Sequence, residues 1–468
     1  MRNRNKEENR DLRVYWKYLK RIIGIMGAVF IVGGMFDMLN YMYVEDDITW
    51  ERTLWHYFYE DTGRIDNLYL GSSHVYCDIN PMQLDDINGK YNFNMASPGQ
   101  LLNGSYYLLK ESDKNNSLSH VYLELYYLCS AKVNDDLDPI DTAYYRNWYN
   151  TDYMRLSYNK ICYILSFSGT EKYIDTLLPF SRYRIHLDNW NYIKGIVEGK
   201  KKEMYLSYRY RREDSDGYVE YMRQGYHYST WKFMDKSRRY EQGRILENNP
   251  LGEKSEKYLR KIITYCQKQD IPITLFVSPI DELQLISTEN YDNYIEQIKE
   301  ISEEYNVPFY DFNLAKEEYL PIHYGKYFMD IEHLNHTGAS MFTPFFNEVV
   351  SKNMNENEKY FYASYAEKLQ SEDPAIYGFY FRESEMPEES AKQEKILACK
   401  IASNREKGME YRIILTINEE EGESVQQMLQ DFSENKEFTI PADEHGICTI
   451  VARMKDNPEE VQTLEINY

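Results

Sequence analysis

Leu68-Tyr69-Leu70-Gly71-Ser72-Ser73-His74 is the stretch on which the fold turns. Residues 67–71 are a short apolar run ending in glycine, the pattern of a buried strand. Gly-Ser-Ser then forces a sharp turn into a helix. A serine at that corner presents its hydroxyl at the carboxyl edge of a sheet, where open α/β sheets bind their ligands. Its N–H lies at a helix start, where donors are free and the dipole is positive. The position suits a nucleophile that must also stabilise an oxyanion. Serine is also a common helix cap, so the motif alone leaves the role open, and leaves open which of Ser72 and Ser73 acts.

Working outward, further strand patterns fall at residues 91–96, 121–128, 273–278 and 308–312, and helical patterns at 101–110, 255–268 and 290–305. Strands alternating with helices predict a parallel sheet covered on both faces. Residues 130–243 read as a helical insertion rich in Tyr, Trp and Arg, since so long a connection carries structure of its own. It is expected over the active edge of the sheet. A polar linker is expected at 353–359. Beyond it, residues 360–468 hold short strand patterns at 377–381, 395–401, 411–418, 438–441, 447–454 and 461–468, which predict a small β-sandwich as an accessory domain.

A second segment raises the value of the serine. Asp330-Ile331-Glu332-His333-Leu334-Asn335-His336-Thr337 precedes an apolar helical stretch. Asp and His three apart on a loop can meet, the carboxylate bonding one ring nitrogen while the other faces a nucleophile. Asn335 or Thr337 can cap the helix that follows and hold the loop still.

The N-terminus predicts a membrane anchor. Residues 1–21 hold eight Lys and Arg against three Asp and Glu, and residues 22–44 are apolar except for Asp37 and Asn40. As a helix the 23 positions reach roughly 35 Å, enough for a hydrocarbon core of ~30 Å. Tyr41 and Tyr43 suit an interfacial belt, and Glu45, Asp46 and Asp47 follow. Basic before and acidic after places residues 1–21 in the cytoplasm and the body outside, as a single-pass protein of the cell membrane. The apolar run has no small-x-small cleavage site after it, which favours an anchor over a cleaved signal peptide.

Gly71-Ser72-Ser73 after the first strand, with Asp330-x-x-His333-Leu-Asn near the end of the domain, resembles the first and last blocks of the SGNH (GDSL-like) hydrolase superfamily. The resemblance covers residues 61–352. It implies a flavodoxin-like three-layer α/β/α domain and aligns the nucleophile on Ser73, with His333 and Asp330 completing the catalytic triad. The Gly-Ser-Ser variant is similar to the subgroup holding the D-alanyl transfer protein of teichoic-acid modification and exopolysaccharide O-acetyltransferases, which are membrane-anchored as well. The family's second block falls on Ala96-Ser97-Pro98-Gly99-Gln100, so the resemblance implies the N–H groups of Ser73 and Gly99, with the side chain of Gln100, as oxyanion donors. The third block, a Gly-x-Asn, is missing: the sequence after 121–128 reads Leu128-Cys129-Ser130. Losing one oxyanion donor costs ~10²–10³ in rate, which fits a poor hydrolase or an acyltransferase.

The expected activity is that of a serine esterase or O-acyltransferase acting on a cell-surface polysaccharide or polyol, with no cofactor and no metal, and with a membrane-bound acyl-transfer partner implied if the reaction is transfer. His74, beside the serine, is a candidate substrate-binding residue, and Glu124 a structural carboxylate near the site. Asp135, Asp136, Asp138 and Asp141 lack the ligand spacing and glycine of a calcium loop and read as a solvated loop. Six scattered cysteines form no zinc or redox motif. A net charge of −22 argues against a nucleic-acid partner, and 47 tyrosines suit sugar-binding surfaces. The competing reading is a non-catalytic glycan-binding or assembly protein on the same fold.

Overall fold

Five short strands make one parallel sheet: β1 (Asn67–Leu70), β2 (Asn92–Asn94), β3 (His120–Glu124), β4 (Ile273–Val277) and β5 (Phe309–Asp311), in the order β2-β1-β3-β4-β5. The computed structural model describes residues 2–468 except 46–49, 132–141, 169–171, 216, 234–236, 242–245, 247–249, 323–325, 353, 386–394, 419–423 and 443–444. Every strand residue but His120 is buried, as in parallel sheets covered on both faces. The His336–Val350 helix lays Phe346 against Tyr69, Tyr122 and Phe276. Helices Leu102–Asp113 and Glu253–Lys268 pair with each other and bury Leu108, Leu109, Leu259 and Ile262.

The strand expected over 121–128 stops at Glu124, and Tyr127–Ser130 is a helical turn. Its tyrosines are buried for another reason: the hydroxyls of Tyr126 and Tyr127 both accept from the Gln284 amide. The core also extends past both expected limits. Helix Trp50–Glu60 contributes Trp50, Leu54, Trp55 and Phe58. The expected linker is docked: buried Asn357 donates to the Val349 carbonyl at 2.8 Å and the Tyr310 hydroxyl at 3.1 Å, and Tyr360 and Tyr365 join the core.

The insertion is helical only in about its first two thirds, to Leu206. Helices Thr142–Thr151, Tyr158–Phe167, Tyr173–Leu177, Trp190–Gly199 and Glu203–Leu206 give way to an antiparallel sheet of Tyr210–Asp214, Gly217–Met222 and Tyr226–Ser229. The four acidic residues at 135–141 lie outside the described residues.

The C-terminal region holds two four-stranded sheets around one shared core, with Phe379, Leu397 and Ile401 from one sheet and Tyr411, Ile413, Ile450 and Leu464 from the other. Ser424–Ser433 is a strand that the sequence pattern did not suggest, since most of its side chains are polar and partly or fully exposed. The first sheet takes its outer strand, Arg239–Glu241, from the insertion. Next to that strand, Arg238 is fully buried and forms a two-pronged ion pair with Asp281, at 2.8 and 3.1 Å. Asp281 also caps helix Glu282–Ser287. This pair ties the accessory sheets to the parallel-sheet domain.

The N-terminal helix runs unbroken from Arg2 to Tyr43, and its span Tyr15–Tyr43 is long and apolar enough to cross a bilayer. All six cysteines are free.

Removing one partner of a buried ion pair leaves the other charge uncompensated, at a cost of about 3–5 kcal/mol. Arg238→Ala should therefore lower stability by about that amount in chemical denaturation. An unchanged unfolding midpoint would mean that the two regions are held together by something else.

Candidate active site

The site starts from the turn after β1. Gly71 has φ +154°, and a Cβ there would come within 2.6–2.7 Å of the Glu124 side chain and of Val75. Only glycine fits between β1 and β3 at that point. Ser72 follows as the cap of the short helix Ser73–Asp78, its hydroxyl accepting from the His74 N–H. Its own N–H donates to Glu124 Oε2 at 2.9 Å. The far end of the short helix is fixed as well, because the Asn94 amide of β2 donates to the carbonyls of Val75 and Ile79.

This frame separates the two serines. Ser72 is buried and its Oγ lies 3.0 Å from His74 Nδ1. Ser73 is only partly buried, and its Oγ lies 2.6 Å from His333 Nε2. His333 Nδ1 in turn sits 2.9 and 3.0 Å from the two Asp330 oxygens. Ser73, His333 and Asp330, up to 260 positions apart in sequence, thus form one hydrogen-bonded chain. The Asp330 carboxylate also accepts the N–H groups of Glu332 and His333, each at 2.8 Å. The loop is closed at its base by the Met329 N–H on the His333 carbonyl and is capped by Asn335, whose side chain accepts from Gly338 and donates to the Lys326 and Trp231 carbonyls.

The electrostatics follow from this packing. Burial disfavours a charged His333, but the adjoining Asp330 carboxylate and its hydrogen bond outweigh it and raise the imidazole pKa to about 9. Burial likewise opposes ionisation of Asp330, and His333 with the backbone donors holds its carboxyl below the usual range. That carboxylate remains about half exposed, at 49% of its side-chain surface, so water screens part of the pairing.

The other expected residues divide. Gly99 sits in a turn with φ +56°, and no described group accepts its N–H. Gln100 does not act as expected. It is buried, its N–H bonds the Ser97 carbonyl, and its side-chain amide donates to the Met95 carbonyl and Ser105. With its donors engaged, it braces the turn and leaves nothing for an oxyanion. His74, expected to bind substrate, is fully buried between Tyr126 and His333, with ring centroids 4.1 and 5.0 Å away. Burial drives its pKa well down, so the ring is neutral. It supports the turn from beneath. Glu332 and His336, which flank the pair, are half-buried: Glu332 accepts from Gln284, and His336 lies 2.9 Å from the Tyr226 hydroxyl.

Two residues were not foreseen. Asp78 is fully buried at the end of the short helix, and its Oδ1 accepts the Leu334 N–H at 2.9 Å, which binds the histidine loop to the serine helix. In sequence it is one more helix-end acid. Arg146, from helix Thr142–Thr151, stacks on the turn at Gly99, where a Cβ would come 2.8 Å from its Nε. It has no carboxylate partner among the described residues. No spacing in the sequence ties an arginine of the insertion to that turn. No cluster of His, Cys, Asp and Glu suited to a metal occurs among the described residues.

A model of an uncharacterised family matches residues 232–355, a stretch that holds Asp330 and His333 and leaves Ser73 outside. No curated protein matches the chain.

Burial raises the pKa of Glu124 to about 7, against the Ser72 hydrogen bonds that lower it. A folded-state pKa above the unfolded value of 4.5 means that its contribution to stability is present below that value and is lost as pH rises to about 7. Glu124→Gln keeps an acceptor for Ser72 and removes the titration. The variant should therefore gain stability relative to wild type as pH rises through that window, and hold a constant difference above it. Parallel stability–pH curves for the two proteins would contradict this.

Proposed function

We propose that the chain is a membrane-anchored serine esterase or O-acyltransferase of the SGNH type, acting on a cell-surface glycan. The observation that carries the reading is the chain of contacts from Ser73 Oγ through His333 to Asp330, 2.6 and 2.9 Å long, at the carboxyl edge of a parallel sheet. The strand order β2-β1-β3-β4-β5 is the flavodoxin-like order, and supports assignment to that superfamily.

Ser73 attacks the acyl carbonyl while His333 takes its proton, with Asp330 holding the ring in the tautomer that has Nδ1 protonated. The free N–H groups of Ser73 and Gly99 receive the oxyanion. The leaving alcohol departs with the proton from His333, and the acyl group remains on Ser73. Water or a sugar hydroxyl then gives its proton to His333, attacks the ester and returns the serine. The missing asparagine of the third block favours transfer over fast hydrolysis. A cleft of about 460 Å³ lined by Tyr145, Trp148, Tyr149 and Tyr183 opens one helical turn along from Arg146, and offers flat aromatic faces for sugar rings. The basic residues before the apolar span support a body outside the cell.

The test is turnover of p-nitrophenyl acetate, alone and with acetylated or unacetylated oligosaccharides, by wild type and Ser73→Ala. Serine-dependent acetyl loss from, or gain by, the sugar supports the reading and gives its direction. Activity that survives Ser73→Ala would refute it. His333 must be neutral to take the proton, so kcat/KM should rise with pH and level off above about 9. Asp330→Asn should move that rise down towards the ordinary histidine range and cut kcat by about 10⁴. An unmoved pH profile would mean that Asp330 does not govern the base.

A further inference from the structure

The insertion's helices are fastened to the outer end of the N-terminal helix. Phe180 stacks on Phe36 with ring centroids 6.0 Å apart, and its N–H donates to the Asn40 side chain. The last carbonyls of the helix, orphaned in any helix, are taken up here: Tyr41 accepts from Lys200 and Tyr43 from the Tyr192 hydroxyl, each at 3.1 Å. The Tyr43 hydroxyl returns a bond to the Leu187 carbonyl. A hydrocarbon core takes about 20 residues of helix. Counted from Ile22, it ends between Asp37 and Tyr41, so whatever is packed on residues 36–43 lies at the level of the membrane surface.

The same segment exposes large apolar side chains that a water-facing surface has no use for. Ile185 is 77% exposed, Trp190 69%, Ile174 66% and Leu206 66%. Met38 and Tyr41 of the N-terminal helix, which packs on Trp190–Gly199 and Pro179–His186, are exposed as well. Around them the charge is inverted relative to the protein. Residues 172–209 carry eight Lys and Arg against four Asp and Glu, in a chain of net charge −22. Exposed large apolar side chains, tryptophan among them, in a segment with an excess of basic residues are the pattern of a surface seated in the headgroup region of an anionic bilayer.

We propose that residues 174–206 form a membrane-seated platform, with Ile185, Leu187 and Trp190 in the outer interface of the bilayer that holds the N-terminal helix. The proposal rests on the reading of that helix as a transmembrane anchor. It adds that the body lies against the membrane, with the insertion between the parallel-sheet domain and the lipid. The 460 Å³ cleft, whose wall includes Val44 and Glu45 as well as Tyr145 and Trp148, then opens at the membrane surface and takes acyl acceptors or donors that are tethered there.

The test uses the full chain in vesicles of mixed neutral and anionic phospholipid. Cys162, the one cysteine that is not buried, is replaced by serine. Single cysteines are then placed by Trp190→Cys, Ile185→Cys, Met26→Cys and Tyr319→Cys and labelled with an environment-sensitive fluorophore. Nitroxide lipids quench labels at the interface or at the bilayer centre. Labels at 190 and 185 should shift to shorter wavelength and lose intensity with the shallow quencher, the label at 26 with the deep one, and the label at 319 with neither. Labels at 190 and 185 that behave like the one at 319, while 26 is quenched, would overturn the platform and leave the anchor standing. An unquenched label at 26 would remove the anchor and the platform together. Shielding at 190 without lipid quenching, lost when the protein is diluted to one copy per vesicle, would assign the face to a second copy of the chain and overturn the proposal.

Discussion

The hydrogen bond from the Ser72 N–H to the Glu124 carboxylate, across the neighbouring strands β1 and β3, is the contact on which the site depends. It forms only because Gly71 has no Cβ, leaving room for Glu124 under the turn. With the turn held from below, Ser73 is left pointing outward. Asp78, five residues on, reaches the Leu334 N–H and brings in the histidine loop. A carboxylate buried this fully is costly to ionise, and Glu124 is retained beside a neutral, buried His74. The polar set beneath Ser73 therefore reads as a rigid support, with Ser73 and His333 above it.

The supporting network is polar because its job is directional. Apolar packing fills the sheet on both faces, yet it would tolerate small shifts of the turn. Hydrogen bonds to the Ser72 N–H, the Leu334 N–H and the Val75 and Ile79 carbonyls tolerate much less. Proximity effects fall steeply with misplacement of about 1 Å, and buried polar groups of this kind hold Ser73 and His333 to a fixed geometry. The same logic holds beside the histidine loop, where buried Arg238 and Asp281 fix the accessory sheets and the Asp281 N–H donates to the Ile331 carbonyl.

The parallel sheet was legible because its strands are short runs of buried residues punctuated by Gly and Pro, and the serine and histidine segments stood out because each sits next to an element boundary. Their meeting was not readable from spacing and came through resemblance. Gln100 and His74 were misplaced for a common reason: adjacency in sequence says which side of a turn a residue lies near, and burial decides which way it faces. Asp78 and Arg146 carried no local signal at all, since both act on segments far away in the chain. The last third of the insertion departs from the helical reading because its aromatic and basic residues mask the two-residue alternation of a hairpin at residues 210–222. The strand Ser424–Ser433 escaped notice because an outer strand with polar side chains lacks the apolar alternation that marks a half-buried one.

The central claim is that Ser73 is a nucleophile made reactive by His333. Its most direct test is intact-protein and peptide mass spectrometry after treatment with a fluorophosphonate, which modifies activated serines without needing the natural substrate. The account predicts one adduct, on Ser73, abolished by His333→Ala in a protein that keeps its fold. No adduct on the folded wild type, or an adduct on Ser72 or elsewhere that is indifferent to His333, would contradict it.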